Sequence, residues 1–333
     1  SAYTIDKLLV KVPANGATAV SLVTLKYPNS SGTTVSSSQV LSLSSGGQSH
    51  ATSTFTGLTF YVPAGTTKKL DVYVNLSTIQ NDGDSGKTIT ATLDYGEGFN
   101  ATDSSGTADT SLASSDLAST ATSGKGTLIV RKSIPTLSAV ALPTNTLSNG
   151  SNKVLARVKV SADSAGDIGW AKIAFTISKT SVSNALTIGA TSTLALWEGS
   201  NQVAGTFATT TGALVGGVDA MGLNTSATLT FVPTAEQSIT AGQSATYDLK
   251  GTIGGFSAAG GYTLDISIAN PQTTASTTAT AAQVGNAVGT TPSFTWSDKS
   301  SVASVHSTTT SDWTDDYLLT GLPLTIGTLS GAL

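Results

Sequence analysis

Apolar and polar residues alternate one by one along short stretches of this chain, and no window repeats its apolar positions at the 3.6-residue spacing of an amphipathic helix. In Lys69-Leu70-Asp71-Val72-Tyr73-Val74, the residues Leu70, Val72 and Val74 fall on one face of a strand. Ala156, Val158 and Val160 do the same against Leu155, Arg157 and Lys159, which predicts one apolar face and one basic face. Polar breaks that contain glycine, Ser45-Gly46-Gly47-Gln48 and Gly199-Ser200-Asn201-Gln202, separate strand pairs as hairpin turns require. Asp109 to Thr122 has no apolar stripe and reads as a loop. Turn signals about every 8–12 residues predict an all-β sandwich of roughly seven strands in each half of the chain.

The two halves resemble each other. Val62 to Leu76 (VPAGTTKKLDVYVNL) lines up with Ile239 to Ile253 (ITAGQSATYDLKGTI) at an offset of 177. Leu58 to Pro63 matches Leu229 to Thr234, Gly86 to Leu93 matches Gly261 to Ile268, and Leu41 to Thr52 matches Leu194 to Gly205. Asp6 to Val12 resembles Asn152 to Val158 at an offset of 146. The growing offset places insertions in the second copy, the largest near 208–227. An internal repeat of this kind predicts two tandem domains. Their expected spans are 1–126, with a Ser/Thr/Ala-rich loop at 100–125, and 127–300. A last segment, 301–333, has no counterpart in the first copy and is unusually apolar and aromatic for a chain end.

Composition narrows the function. Charged residues are 11% of the 333, where an ordinary soluble domain has about 25%. Serine and threonine together make up about three residues in ten. A net charge of −4 provides no basic field for nucleic acid. No apolar run reaches the roughly 20 residues of a membrane-spanning helix. The absence of cysteine excludes disulfides, thiolate catalysis and cysteine–zinc sites. The chain begins at Ser1 without a signal core, so it reads as a processed, secreted protein at the cell surface or beyond it.

Catalytic signatures are missing: there is no nucleophile elbow, phosphate loop, dinucleotide fingerprint or His-Glu-x-x-His. His50 and His306 are the two histidines, and both are expected to be structural or solvated. The chain is therefore not expected to be an enzyme, and no cofactor is required. Calcium is the ion to consider. Asp82 and Asp84, and again Asp163 and Asp167, cluster oxygen ligands in inter-strand loops, and Asp312, Asp315 and Asp316 form a third group. The competing reading is that Asp and Asn simply favour turns. Asn29, Asn75, Asn100, Asn149 and Asn224 each begin an Asn-x-Ser/Thr sequon. Trp170 and Trp197 adjoin predicted strands and read as packing residues, while Trp296 and Trp313 are candidates for a sugar-stacking face.

The ordered pattern of an apolar strand, a Leu-x-Leu strand, then Thr-Phe-x-Val-Pro-x-Gly and an alternating strand resembles tandem Ig-like domains of secreted surface proteins of bacteria and archaea. It covers roughly 6–100 and 136–270, through Val62-Pro63-Ala64-Gly65 and Ile239-Thr240-Ala241-Gly242. The resemblance implies a structural role in surface layers, stalks or filaments, with copies of itself as partner. Assembly is expected to use a terminal strand given to a neighbour, drawn from Tyr3 and Ile5 at one end or Trp313, Tyr317, Leu318 and Leu319 at the other. The alternative is that each segment completes its own chain's sheet. The second functional reading is a monomeric adhesin or carbohydrate-binding module with glycans as partners.

Overall fold

The structure, a computed structural model, describes residues 1–42, 50–77, 85–94, 98–112, 127–180, 187–189, 193–209, 226–255, 261–273, 292–300, 306–307, 310, 312–317 and 319–331. The expected turn at Ser45–Gln48, the insertion near 208–227, Asp82, Asp84, Asn224 and Leu318 lie wholly or mostly outside these residues. The chain is all-β and divides into two compact units, Ser1–Val130 and Arg131–Leu333. One four-residue helix, Ala14–Ala17, interrupts the strands.

In the first unit, one sheet runs His50–Val62, Tyr3–Pro13, Asn100–Asp103, Ala108–Asp109, with Thr92–Asp94 also paired to Tyr3–Pro13. A second sheet runs Thr34–Gln39, Val20–Pro28, Asp71–Leu76. Their inward residues, among them Val10, Val12, Val23, Leu25 and Phe55, form one core, and Leu70, Val72 and Val74 pack against it on the face their alternation predicts. The stretch 100–125 begins as a strand, not a loop. Asn100–Asp103 pairs with Tyr3–Lys7, because a tight turn at Asp103–Thr107 folds it back on Ala108–Asp109. Thr127–Ile129 pairs with Thr88–Thr90 and so belongs to the first unit rather than opening the second.

In the second unit, one sheet runs Thr136–Ala139, Gly150–Ser161, Ser244–Gly254, Ala195–Glu198, Asn201–Val203. Gly199-Ser200 makes the predicted hairpin turn between the last two strands. The facing sheet runs Gly205–Thr209, Ser226–Pro233, Ile168–Thr180, Thr263–Ile268, Leu324–Ser330. Leu155, Val158, Trp170, Ile173, Phe175, Phe231, Leu249 and Ile266 form the core between them. Leu155 is fully buried instead of sharing the polar face of Arg157, since the strand's register shifts between Val154 and Ala156. Arg157 grips the facing Asp248 with two bonds, Nε to Oδ1 at 2.6 Å and Nη2 to Oδ2 at 2.9 Å.

Two of the matched pairs can be compared as strands among the described residues, and they pair differently. Asp6–Val12 lies on the strand that pairs with His50–Val62, whereas its match Asn152–Val158 pairs with Ser244–Gly254. Asp71–Leu76, the match of Ser244–Gly254, pairs with Val20–Pro28 instead. Alternation and turn chemistry determine which residues are extended, but not which neighbour each strand takes.

The expectation that a terminal segment is on offer to a neighbour is corrected here. Tyr3 pairs with Val62 on one side and with Asp103 on the other, so Tyr3 and Ile5 sit on an inner strand of their own sheet. Leu324–Ser330 pairs with Thr263–Ile268, and Leu319, Ile326 and Leu329 are in the core of the second unit. Their apolar area is better buried at home. If that strand is part of the core, Ile326→Ala should destabilise the protein by about 2–5 kcal/mol in urea denaturation. A change below ~0.5 kcal/mol, typical of surface positions, would mean the strand is not packed.

Candidate functional site: a buried charge cluster under the C-terminal segment

Residues Ile168 to Phe175 are buried one after another, which a half-buried strand does not do. Trp170, Ile173 and Phe175 face the core, while Ala171 touches the buried Trp313. Phe294–Ser297 pairs with this stretch, and Trp313–Thr314 pairs with Phe294–Ser297 in turn. Around them gather the ionisable side chains Lys172, Glu236, Asp298, Lys299, His306, Asp312, Asp315 and Asp316, with Arg131 from the start of the unit.

His306 is at the middle of this cluster. Its Nδ1 lies 2.7 Å from Asp312 Oδ2 and its Nε2 lies 2.6 Å from Glu236 Oε2, while its ring packs on Trp313 at 5.5 Å between centroids. Ser297 Oγ donates to Asp312 Oδ2 at 2.9 Å, and Lys299 Nζ lies 3.2 Å from Glu236 Oε1. Gly169 makes room for this arrangement: a Cβ there would sit 1.6 Å from Glu236 Oε1.

The other acids hold the segment down. Asp316 Oδ1 accepts from Gln272 N at 2.9 Å and Oδ2 from Ser293 N at 2.7 Å. The main-chain oxygen of Asp315 accepts from Trp296 Nε1 at 2.9 Å. Asp298 Oδ2 accepts from Lys132 N at 2.8 Å. Arg131 donates to the main-chain oxygens of Asp312 and Trp313 at 3.0 and 3.3 Å. The cluster therefore ties the first residues of the unit to its last strands.

Burial pushes the Asp312 carboxyl up, but hydrogen bonds from Thr310 and Ser297 and the adjacent His306 outweigh it and hold the group below the ordinary carboxylate value. Asp316 goes the other way: burial raises it in spite of its backbone donors. Burial also lowers Lys172, with Asp316 opposing, and lowers Arg131, with Asp298, Asp312 and Asp315 opposing.

Nothing in this geometry is set up for acyl transfer. A Ser-His-Asp relay needs a hydroxyl at the imidazole nitrogen remote from the acid. Here that nitrogen faces Glu236, and Ser297 is bonded to the acid itself. Among the described residues no group of three or more His, Asp or Glu is arranged to hold a metal ion. Asp163 Oδ1 accepts from Ala165 N at 2.8 Å within its own turn, while Asp167 Oδ1 accepts at 2.8 Å from Ala241 N, 74 residues away. Trp296 and Trp313 are buried and unavailable as sugar platforms, and Trp197 is half-buried with Lys250 Nζ 4.5 Å from its ring centroid. Reading the sequence alone missed Glu236 and Arg131, for which no local motif exists. The run Asp312-Trp313-Thr314-Asp315-Asp316 was the visible signal, assigned there to calcium and assembly.

No family model matches the chain, and no curated protein matches it. Two solved structures are similar over most of the length. The C-terminal domain of the AgI/II polypeptide BspA of Streptococcus agalactiae covers 79% of this chain and is itself covered to 79%, with 10% identity and a TM-score of 0.19. A protein of Corynebacterium diphtheriae described as membrane-anchored gives 80% and 78%, with 10% identity and a TM-score of 0.20. Scores this low carry nothing over to this chain.

Leaving a buried hydrogen-bonding group without its partner costs about 1–3 kcal/mol, so His306→Ala, which takes a partner from both Glu236 and Asp312, should lose stability on that order, its side chain being 17% exposed. Gly169→Ala should lose stability in the same direction by displacing the Glu236 carboxylate, and adding it to His306→Ala should cost less than it costs alone. Additive losses would show that the two act separately.

The acid side has a defined sign. Asp312 binds a proton less readily folded than unfolded, so its contribution is complete above about pH 4 and is lost as pH falls through the lower folded value. In Asp312→Asn, stability should be lower at pH 7 and decline less between pH 4 and lower pH than in the wild type. Parallel decline in both proteins would rule this out.

Proposed function

We propose that this protein is a non-catalytic structural subunit of an extracellular polymer, assembled through contacts between copies of its β-sandwich units. The observation that carries this reading is the scarcity of charge on the outside. Of 36 charged side chains, seven are buried in the described residues: Lys172, Lys179, Asp248, Asp298, Asp312, Asp315 and Asp316. At most 29 of the 36 charged side chains are therefore left to the surface of a 333-residue chain. A protein that stays a monomer ordinarily relies on charge to keep copies apart. A subunit with permanent neighbours does not.

The joint is assigned to a sheet edge, in place of the terminal segments. Thr34–Gln39 (TVSSSQ) pairs with Val20–Pro28 on one side, and among the described residues no strand pairs with its other side. Natural edges are guarded with lysine, proline or a bulge, and this one has none of them. Val40, just beyond it, is 67% exposed. Edge-to-edge addition of a second copy would satisfy the open hydrogen bonds. A monomeric adhesin is the competing reading, weakened by the burial of Trp296 and Trp313.

Light scattering of the purified chain across a concentration series is expected to reveal growth beyond the monomer, and electron microscopy to reveal an ordered polymer. The double substitution Ser36→Lys, Ser38→Lys places two charges on exposed edge positions. It should suppress growth while changing folding stability by no more than about 0.5 kcal/mol per site. A monomer at every concentration would favour the adhesin. Unimpaired growth of the double variant would move the joint elsewhere.

A further inference from the structure

Two loops in the first unit are built from almost the same five residues. Asn29-Ser30-Ser31-Gly32-Thr33 joins Val20–Pro28 to Thr34–Gln39, and Asp103-Ser104-Ser105-Gly106-Thr107 joins Asn100–Asp103 to Ala108–Asp109. Their geometry matches bond for bond. Asn29 Oδ1 accepts from Ser31 N at 3.1 Å, Ser31 Oγ at 2.7 Å and Thr33 N at 2.9 Å. Asp103 Oδ1 accepts from Ser105 N at 2.9 Å, Ser105 Oγ at 2.7 Å and Thr107 N at 2.8 Å. In both, the glycine amide donates back to the first residue's main-chain oxygen at 3.0 Å, and the glycine lies at positive φ, +79° and +86°. The loops differ in the group that supplies the acceptor oxygen, amide in one and carboxylate in the other.

That difference is informative. For holding the turn, the carboxylate is the stronger acceptor, since charge-assisted hydrogen bonds are roughly twice as strong as neutral ones. The amide at position 29 contributes less to the loop and adds one thing, a nitrogen. All three contacts go to Oδ1, so Nδ2 has no partner among the described residues, and half-buried Asn29 opens a hairpin tip whose Ser30, Ser31 and Gly32 are exposed. Asn29 also begins the sequon Asn29-Ser30-Ser31, and the hydroxyl at the third position already touches the acceptor amide.

The other sequons lack this arrangement. Asn100 Nδ2 donates to Asp6 Oδ1 at 2.8 Å, and the residue lies within a paired strand. Asn75 lies on the Asp71–Leu76 strand, which pairs with Val20–Pro28. Asn149 precedes Gly150, at positive φ, and Asn224 lies outside the described residues.

The geometry points to Asn29 as an acceptor for an N-linked oligosaccharide. In the reaction, Asn29 Nδ2 forms a bond to the anomeric carbon of an oligosaccharide carried on a polyprenyl phosphate. The anomeric carbon–oxygen bond breaks, the phosphate leaves with its electron pair, and the amide proton passes to a base of the transferase. The inference is independent of the polymer reading, because it concerns one hairpin tip that any surface protein could expose.

The test is production of the full chain in a host with N-glycosylation machinery, followed by intact mass and peptide mapping. The tryptic peptide from Tyr27 to Lys68 contains one sequon, so a glycan mass on it, removed by peptide N-glycosidase, assigns the site. Asn29→Asp should abolish that mass while preserving the fold, since Asp103 supports the identical loop. Asp103→Asn should gain a second glycan, localised by fragmentation, because it gives the twin loop the same amide and third-position hydroxyl. An unmodified Tyr27–Lys68 peptide beside a glycosylated Asn75, Asn100 or Asn149, or with no glycan anywhere, overturns the assignment. A glycan at Asn29 without one in Asp103→Asn overturns the claim that the loop geometry selects the site.

Discussion

Charge taken out of water must be matched, and the second unit is organised around that requirement. An isolated buried carboxylate or ammonium costs several kcal/mol even after relaxation. Lys172 and Asp316 lie at 1% and 0% exposure, on the face of the central strand turned away from the core. That face stays dry only while the segment carrying Trp313 covers it. The segment stays in place because its own acids find His306, Ser297, Gln272 and Ser293, and because Arg131 donates to its main-chain oxygens. Neither half of the arrangement is stable without the other. Such a cluster adds little net stability over an apolar one, since desolvation offsets most of the attraction. Its effect is on registry: the bonds of Asp312 to His306 and Ser297 and of Asp316 to Gln272 and Ser293 form together in one alignment of the last strands, while Asp312 Oδ1, Glu236 Oε1 and Arg131 Nε are left without a hydrogen-bond partner among the described residues.

The legible parts of the fold were the local ones. The alternation in Leu70, Val72 and Val74 and the turn at Gly199-Ser200 follow from residues a few positions apart, and both stand in the structure. Pairing is not local. Asp6–Val12 and Asn152–Val158 read alike yet join different partners, because a strand's own pattern says which face is apolar and nothing about which edge lies beside it. Leu155 failed for a smaller reason: a bulge reverses the facing of every residue on one side of it.

The charge cluster was half visible. A run of three aspartates beside a tryptophan in a chain with 11% charge is conspicuous, and it was assigned to calcium and to assembly. Its distant partners could not be read. Arg131 is 181 residues from Asp312, and Glu236, the second carboxylate on His306, is 70 from it. The twin Asn/Asp-Ser-Ser-Gly-Thr loops, by contrast, were in plain view as pentapeptides. A search for repeats of strand length passes over a unit that short.

Asp316 has one more effect, on chain topology rather than on charge. Its two oxygens take the amides of Gln272 and Ser293, so a single side chain holds together both ends of the chain between them. Closing a loop costs entropy that grows only as the logarithm of its length, about 0.6 kcal/mol for each doubling. With both ends held on one carboxylate, Gln272 and Ser293 stay side by side although 20 residues separate them in sequence. The unit thus has a junction, made by one carboxylate, at which distance along the chain and distance in space are uncoupled.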